Sequence, residues 1–312
     1  MYGQFFLLFG LIVVGYYCNQ KKWLDRETNK NMGSMVMHVT IPALIVSTIA
    51  NIEITDAILK GFFLSVAAQV AIAIVFGYLV RLYCRWRGMD EKLLPMLDIT
   101  TGSMNTGFIG LPVATIFFGD AGVIYMSAGV LALNLYLWSY GICVIESVNG
   151  KGTGGVKRTV KKIVTNINCL AIFIGLALSL TGIIAFVPEM VLTFLKKVGE
   201  LATPLSLIYI GALAGDSGIK SLLQEKKAME ISLFKMILMP LLAWAVMLVV
   251  PAGDTAKAVF LLAAALPAAV VVPMMVEQHG YGEKLSSDVV LWSTFLSMIT
   301  MPVCVWLAGI FY

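Results

Sequence analysis

Apolar runs of membrane-crossing length follow one another along almost the whole chain, and charged residues are confined to the short intervals between them. A helix needs about 20 apolar residues to cross roughly 30 Å of hydrocarbon. Runs of this kind occupy residues 2–18, 34–50, 58–80, 93–118 and 121–145, then 164–186, 198–214, 229–250, 256–276 and 286–311. The pattern predicts an all-α polytopic membrane protein with ten transmembrane helices. Its longest polar interval, residues 146–162, divides the runs five and five. We therefore expect a first unit at 1–150, a basic cytoplasmic linker at 151–163 and a second unit at 164–312.

Two of the runs are broken in the middle. Span 4 contains Asn105-Thr106-Gly107-Phe108-Ile109-Gly110-Leu111-Pro112, and span 9 contains Pro267-Ala268-Ala269-Val270-Val271-Val272-Pro273. Pro112 and Pro273 each precede a glycine, Gly119 or Gly280, by seven residues, so the segments align at an offset of 161. A second landmark agrees: Pro42, in Thr-Ile-Pro-Ala-Leu-Ile, and Pro204, in Thr-Pro-Leu-Ser-Leu-Ile, are 162 apart. This self-similarity predicts two repeats. Each holds an odd number of spans, so the second must enter the membrane in the opposite sense, an inverted symmetry used by secondary transporters.

Composition and charge fit that reading. Hydrophobic residues make up 59% of the 312 residues and charged residues only 13%, against about a quarter charged in soluble domains. Of the 22 Lys and Arg, 17 fall in the loops after spans 1, 3, 5, 7 and 9 and four in the loops after the even spans. Basic residues favour cytoplasmic loops, so both termini are expected outside, in a cell (inner or plasma) membrane. The first run lacks a basic n-region and a cleavage site, and reads as retained. The net charge of +4 is spread over five loops without interleaved aromatics, a topology signal rather than a nucleic-acid surface. Cys18, Cys84, Cys143, Cys169 and Cys304 have no C-x-x-C spacing and read as small core residues, with no metal or cofactor framework.

The broken spans are the candidate chemistry. Non-helical backbone is tolerated at membrane depth only where protein or a water-filled cavity covers it. Twelve residues of helix before Asn105 rise about 18 Å, which places the break near the bilayer centre. Gly107 and Gly110 admit positive φ and close approach of a ligand, and Pro112 suits the first turn of a new half-helix. Pro267 and Pro273 bracket a short segment suited to extended backbone. Two half-helix N-termini would then face the centre and favour an anion. The candidate substrate-binding residues are Asn105, Thr106, Gly107, Gly110, Pro112, Asn134, Pro267, Ala268, Ala269, Val270 and Pro273. Asn134 needs a partner, either the opened backbone of span 4 or the substrate. Ser293, Thr294 and Ser297 read as bonded to their own helix. Asp98, Gln69 and Lys235 are candidates for coupling to H+ or Na+, although Lys235, near the cytoplasmic end of span 8, can also snorkel. His38, Glu277 and His279 read as interfacial.

The segments N-T-G-F-I-G-L-P at 105–112, P-L-S-L-I-Y-I-G-A-L-A at 204–214, M-P at 239–240 and L-P-A-A-V-V-V-P at 266–273 followed by E-Q-H-G together resemble the auxin efflux carrier family. That family includes bacterial permeases and plant auxin exporters. The resemblance covers essentially the whole chain. It implies ten helices in two inverted repeats, crossing broken helices 4 and 9, and carriage of organic anions such as auxin, malate or malonate. It further implies a transport part (spans 3–5 and 8–10) moving elevator-like against a scaffold (spans 1, 2, 6 and 7), often in a homodimer. The chain departs from the plant pattern in two ways: the second break has Leu266 before Pro267 instead of Asn, and the central loop is short.

Other classes remain in view. A channel or transporter-like sensor has the same composition. A membrane hydrolase would have to use Gly215-Asp216-Ser217-Gly218, for which the sequence supplies no general base. The charge asymmetry makes the topology testable: alkaline phosphatase fused after residue 150 in a bacterial host should be inactive, and fused at the C-terminus active. The reverse pattern would invert the assignment.

Overall fold

Backbone amides in an apolar medium have to be paired within the chain, and a helix pairs them locally. In the computed structural model, which describes residues 2–148, 155–216, 225–277 and 282–309, the described residues form helices and no strand. In chain order the α-helices are α1 (Tyr2–Gln20), α2 (Arg26–Met35), α3 (Ile41–Ala50), α4 (Asp56–Trp86), α5 (Leu94–Gly102), α6 (Leu111–Tyr136) and α7 (Ile142–Val148). They continue as α8 (Gly155–Val164), α9 (Ile167–Thr181), α10 (Glu189–Glu200), α11 (Ala202–Asp216), α12 (Lys226–Val249), α13 (Asp254–Ala264), α14 (Val271–Glu277) and α15 (Glu283–Ala308). Much of the expected linker is therefore helical, as α8.

Among the described residues, six helical stretches are long and apolar enough to cross a membrane: Arg26–Ala50, Asp56–Trp86, Glu91–Ile145, Glu189–Gly215, Lys226–Val249 and Lys284–Ala308. The third, at 55 residues, would be roughly 80 Å long if straight, far more than one crossing requires. It is not straight. It opens at residues 103–105 and bends at Gly119, whose φ of 58° and ψ of −143° suit only glycine. Beyond the bend Gly122 lies directly against the carbonyl of Ala114 and Cβ of Phe118, so the chain turns back on itself.

Two prolines are accommodated by local widening. A proline ring clashes with the carbonyl four residues back, and π-turns at Val36–Thr40 and Thr106–Gly110 stand immediately before Pro42 and Pro112. In the second, Gly110 N–H reaches the Asn105 carbonyl, five residues back, at 2.9 Å.

The helices pack in two groups. In one, α1 lies along α11, and α3 packs on α9 and α10. In the other, α4 packs on α5 and α6, and α12 on α13 and α15, with α6 against α13 closing the group. The tightest seam is α1–α11. Gly15 sits on the Ile208 backbone, Gly211 on the Ile12 carbonyl and Gly215 on the Asn19 side chain, with no room for a Cβ at any of them. Small residues spaced by four let apolar helices approach this closely.

Polarity is arranged inside out relative to a soluble protein. Phe6, Phe186 and Met190 are more than 80% exposed, whereas Asp98 and Lys235 are fully buried together with Thr100, Thr101, Ser103, Asn105 and Thr106. The glycine seam generates a prediction. Gly211→Ala should lower the thermal midpoint of the purified protein by an amount equivalent to about 1–3 kcal/mol of overpacking. Gly10→Ala, where a Cβ meets nothing within 4 Å, should leave it unchanged or raise it through helix propensity.

Candidate functional site at the paired breaks

The first break is a three-residue opening. Helix α5 ends at Gly102, Ser103 is extended (φ −73°, ψ 147°) and Asn105 lies outside helical geometry (φ −76°, ψ 62°) before the π-turn begins at Thr106. The opening thus lies one turn earlier than the 105–112 segment suggests, and Pro112 sits in the first turn of α6. The second opening separates α13 from α14 and spans residues 265–270. Pro267 lies in it and Pro273 does not, being already helical.

Each opening satisfies the other. Asn105 N–H donates to the Pro267 carbonyl at 2.9 Å. Ala269 N–H donates to Ser103 Oγ at 3.0 Å, while that hydroxyl donates to the Thr100 carbonyl at 2.7 Å. Ala268 N–H donates to Ser293 Oγ at 3.0 Å. Ser103 and Ser293 are therefore structural parts of the paired breaks. Sequence reasoning missed the first and assigned the second only to its own helix; a serine beside a proline-broken run was the available signal.

Lys235 corrects another expectation. It is fully buried and does not snorkel: its Nζ donates to the Thr101 carbonyl at 2.7 Å and the Ser103 carbonyl at 2.9 Å, with Met239 Sδ at 3.2 Å. A lysine on α12 thus holds the carbonyls left bare where α5 ends.

Gly107 and Gly110 also differ from expectation. Neither has positive φ. The space beside Gly110 is taken by Leu266 Cδ1 and Met126 Sδ, each 2.8 Å from where a Cβ would stand, so its glycine serves packing. Beside Gly107 only Met37 Sδ comes within 4 Å, at 3.8 Å. Asn134 Nδ2 bonds back to the Val130 carbonyl at 2.9 Å rather than to the opened backbone.

Asp98 is held in a cluster. Arg81 Nε stands 2.5 Å from its Oδ2, Tyr140 donates to Oδ2 at 2.7 Å, and Tyr136 reaches its carbonyl at 3.3 Å. This ion pair and its tyrosines tie α4 to α5 and to the turn after α6.

Around the start of the second half-helix, polar side chains are left over. Among the described residues Asn105 Nδ2, Thr106 Oγ1 and both amide atoms of Gln69 are buried without a hydrogen-bond partner. Gln69 and Thr106 meet at Gly129, where a Cβ would stand 2.8 Å from Gln69 Oε1 and 2.9 Å from Thr106 Cγ2. Of the first N–H groups of the half-helix, that of Thr106 goes to the Met104 carbonyl at 2.8 Å and that of Ile109 to the Asn105 carbonyl at 3.3 Å, so the donors left over there are chiefly those of the side chains. Asn105, Ile109 and Val270 face Ile12, Ile210 and Leu213 across a narrow cavity at the boundary of the two helix groups, with room for about one water. Phe108 stacks on Tyr209 across the same boundary, ring centroids 4.9 Å apart. His279 and Ser217 lie outside the described residues, as do residues 151–154 of the expected linker.

The chain is similar in sequence to known proteins. A family model described as membrane transport protein matches residues 1–305. The chain belongs to this family, the auxin efflux carrier family that its motifs resemble. Within it, an uncharacterized transporter of Methanothermobacter thermautotrophicus is 23% identical over 295 residues, covering 94% of this chain and 93% of its own. Another, from Methanocaldococcus jannaschii, is 23% identical over 306 residues and covers 95% of each chain. This member of the family is thus a multi-pass membrane transport protein.

The Asp98 cluster makes a stability prediction for this transporter. Arg81→Ala strands a buried carboxylate and should destabilise by about 3–5 kcal/mol, whereas Asp98→Asn should cost clearly less, since Arg81 is partly exposed and can reach solvent. Unfolding midpoints of the two single variants and the double variant check this: the double variant should recover most of the loss.

Proposed function

We propose that this transporter is a secondary carrier of small organic anions, mono- or dicarboxylates including auxin-like acids, with the substrate held at the paired breaks. One observation carries the proposal: buried, unpartnered donors at Asn105, Thr106 and Gln69 surround the start of the half-helix that follows the first break. Helix starts of this kind favour anions, and bare donors in a buried site are costly unless something occupies them. Asn105, Thr106 and the α6 half-helix would bind the carboxylate. Ala268, Ala269 and Val270, in the opening bonded to the first one, would shape the rest.

The paired breaks would be a crossover near the bilayer midplane in two inverted five-helix repeats, ten crossings in all. In this reading α4–α7 and α12–α15 form the transport part, and α1–α3 and α9–α11 the scaffold of a homodimer. The cavity and the Phe108–Tyr209 stack both lie on the boundary across which an elevator movement would run. The structure's narrow cavity then corresponds to a closed state. Asp98, already engaged by Arg81 and two tyrosines, suits a positioning role better than coupling.

Counterflow into liposomes tests the reading. Purified protein should show saturable exchange of at least one carboxylate from a broad panel, accelerated by internal substrate. Asn105→Ala and Thr106→Val should each slow it about tenfold or more, the cost of one hydrogen bond to a charged group. Flux without counterflow would identify a pore, and no carboxylate flux at all would end the proposal.

A further inference from the structure

The ammonium of Lys235 contacts acceptors only: two carbonyls and a thioether. None of these can give a hydrogen to an amine lone pair, and the three acceptors match the three N–H groups of an ammonium. The Phe76 ring face, 6.0 Å from Nζ, suits a cation as well.

A buried cation normally sits beside a carboxylate. Among the described residues none pairs with Lys235. Asp98 is taken by Arg81, and Glu230, on the same helix, is taken by Arg87 at 2.6 Å and by Tyr83. The carbonyl ends of α5 offset part of an ammonium's charge as dipoles, and in its protonated form Lys235 puts a positive charge in the wall of the paired breaks with no carboxylate beside it. Lys235 grips the segment 101–103 from one side. Two and three residues further on, Asn105 and Thr106 present their unpartnered donors.

We propose that Lys235 is the fixed counter-charge of the substrate site, giving it a preference for one carboxylate over uncharged analogues without touching the substrate. The inference rests on the carrier reading. It narrows the substrate class to compounds that place a single carboxylate at the break, because the described residues provide no second countercharge there for a dicarboxylate.

The test uses two readouts, one of them independent of substrate. In a background with Cys18, Cys84, Cys143, Cys169 and Cys304 replaced, Thr294→Cys puts a thiol on the cavity wall. The ratio of its modification rates by negatively and positively charged methanethiosulfonates reports local potential, since access and folding affect both reagents. Lys235→Gln, which keeps donors for the two carbonyls, should lower that ratio about tenfold, and Lys235→Arg should preserve it. Lys235→Met serves if the Gln variant does not fold.

The second readout is counterflow of indole-3-acetate and malate, each competed by its own amide. Lys235→Gln should reduce discrimination between acid and amide, where a merely structural residue would weaken both alike. An unchanged thiol ratio overturns the inference. A lowered ratio in a protein that moves no carboxylate overturns the carrier reading instead and still assigns the field to Lys235.

Discussion

The hydrogen bond from Asn105 N–H to the Pro267 carbonyl joins two backbone openings, neither of which would be tolerable in an apolar medium by itself. Each bare peptide group in hydrocarbon costs several kcal/mol. Ser103 and Ser293 receive the amides of Ala269 and Ala268, and Lys235 takes the carbonyls of Thr101 and Ser103. The elements that supply these partners are α5, α12 and α15. Through α12, which packs on both α13 and α15, and α5, which packs on α4, a hydroxyl or an amine group is brought to each opening.

That requirement also explains the distribution of polarity. Groups needed to complete the openings are drawn inward, and the outer faces are left to phenylalanine and methionine. Completion stops short at Asn105, Thr106 and Gln69. Asn29, Asn168 and Ser206 also keep a buried polar atom without a partner, but at the breaks the leftover donors gather around the start of one half-helix, which is the observation behind the substrate position proposed above.

Much of this was legible in the amino-acid order. Most of each apolar run lies in helix, and the segments at 105–112 and 267–273 located both openings to within about one turn. The residual error has a physical cause. The first opening starts at Ser103 because that residue's hydroxyl serves the partner break, a tertiary demand with no local signature. Pro273 could enter a helix because proline is tolerated in a first turn. The burial of Lys235 was illegible for a related reason: position along a helix says little about which neighbour lies beside it, and a long stem can reach solvent or a broken helix equally well. Gly211 and Gly215, spaced by four, were a visible signal for close packing on α1 that the apolar pattern around them concealed. The donors left over at Gln69 required knowing that Gly129 stands opposite.

Gly119 gives the region a mechanical character. It alone within α6 departs from helical geometry, and Gly122 rests on Ala114 immediately beyond it. The half-helix running from Thr106 and the helix following the bend therefore meet at a single glycine, the residue with the widest backbone freedom, and no loop separates them. The helix beyond the bend continues to Tyr136, whose hydroxyl reaches back to Asp98 at 3.3 Å. One hinge thus stands between the leftover donors and a hydroxyl seated on the Arg81 ion pair.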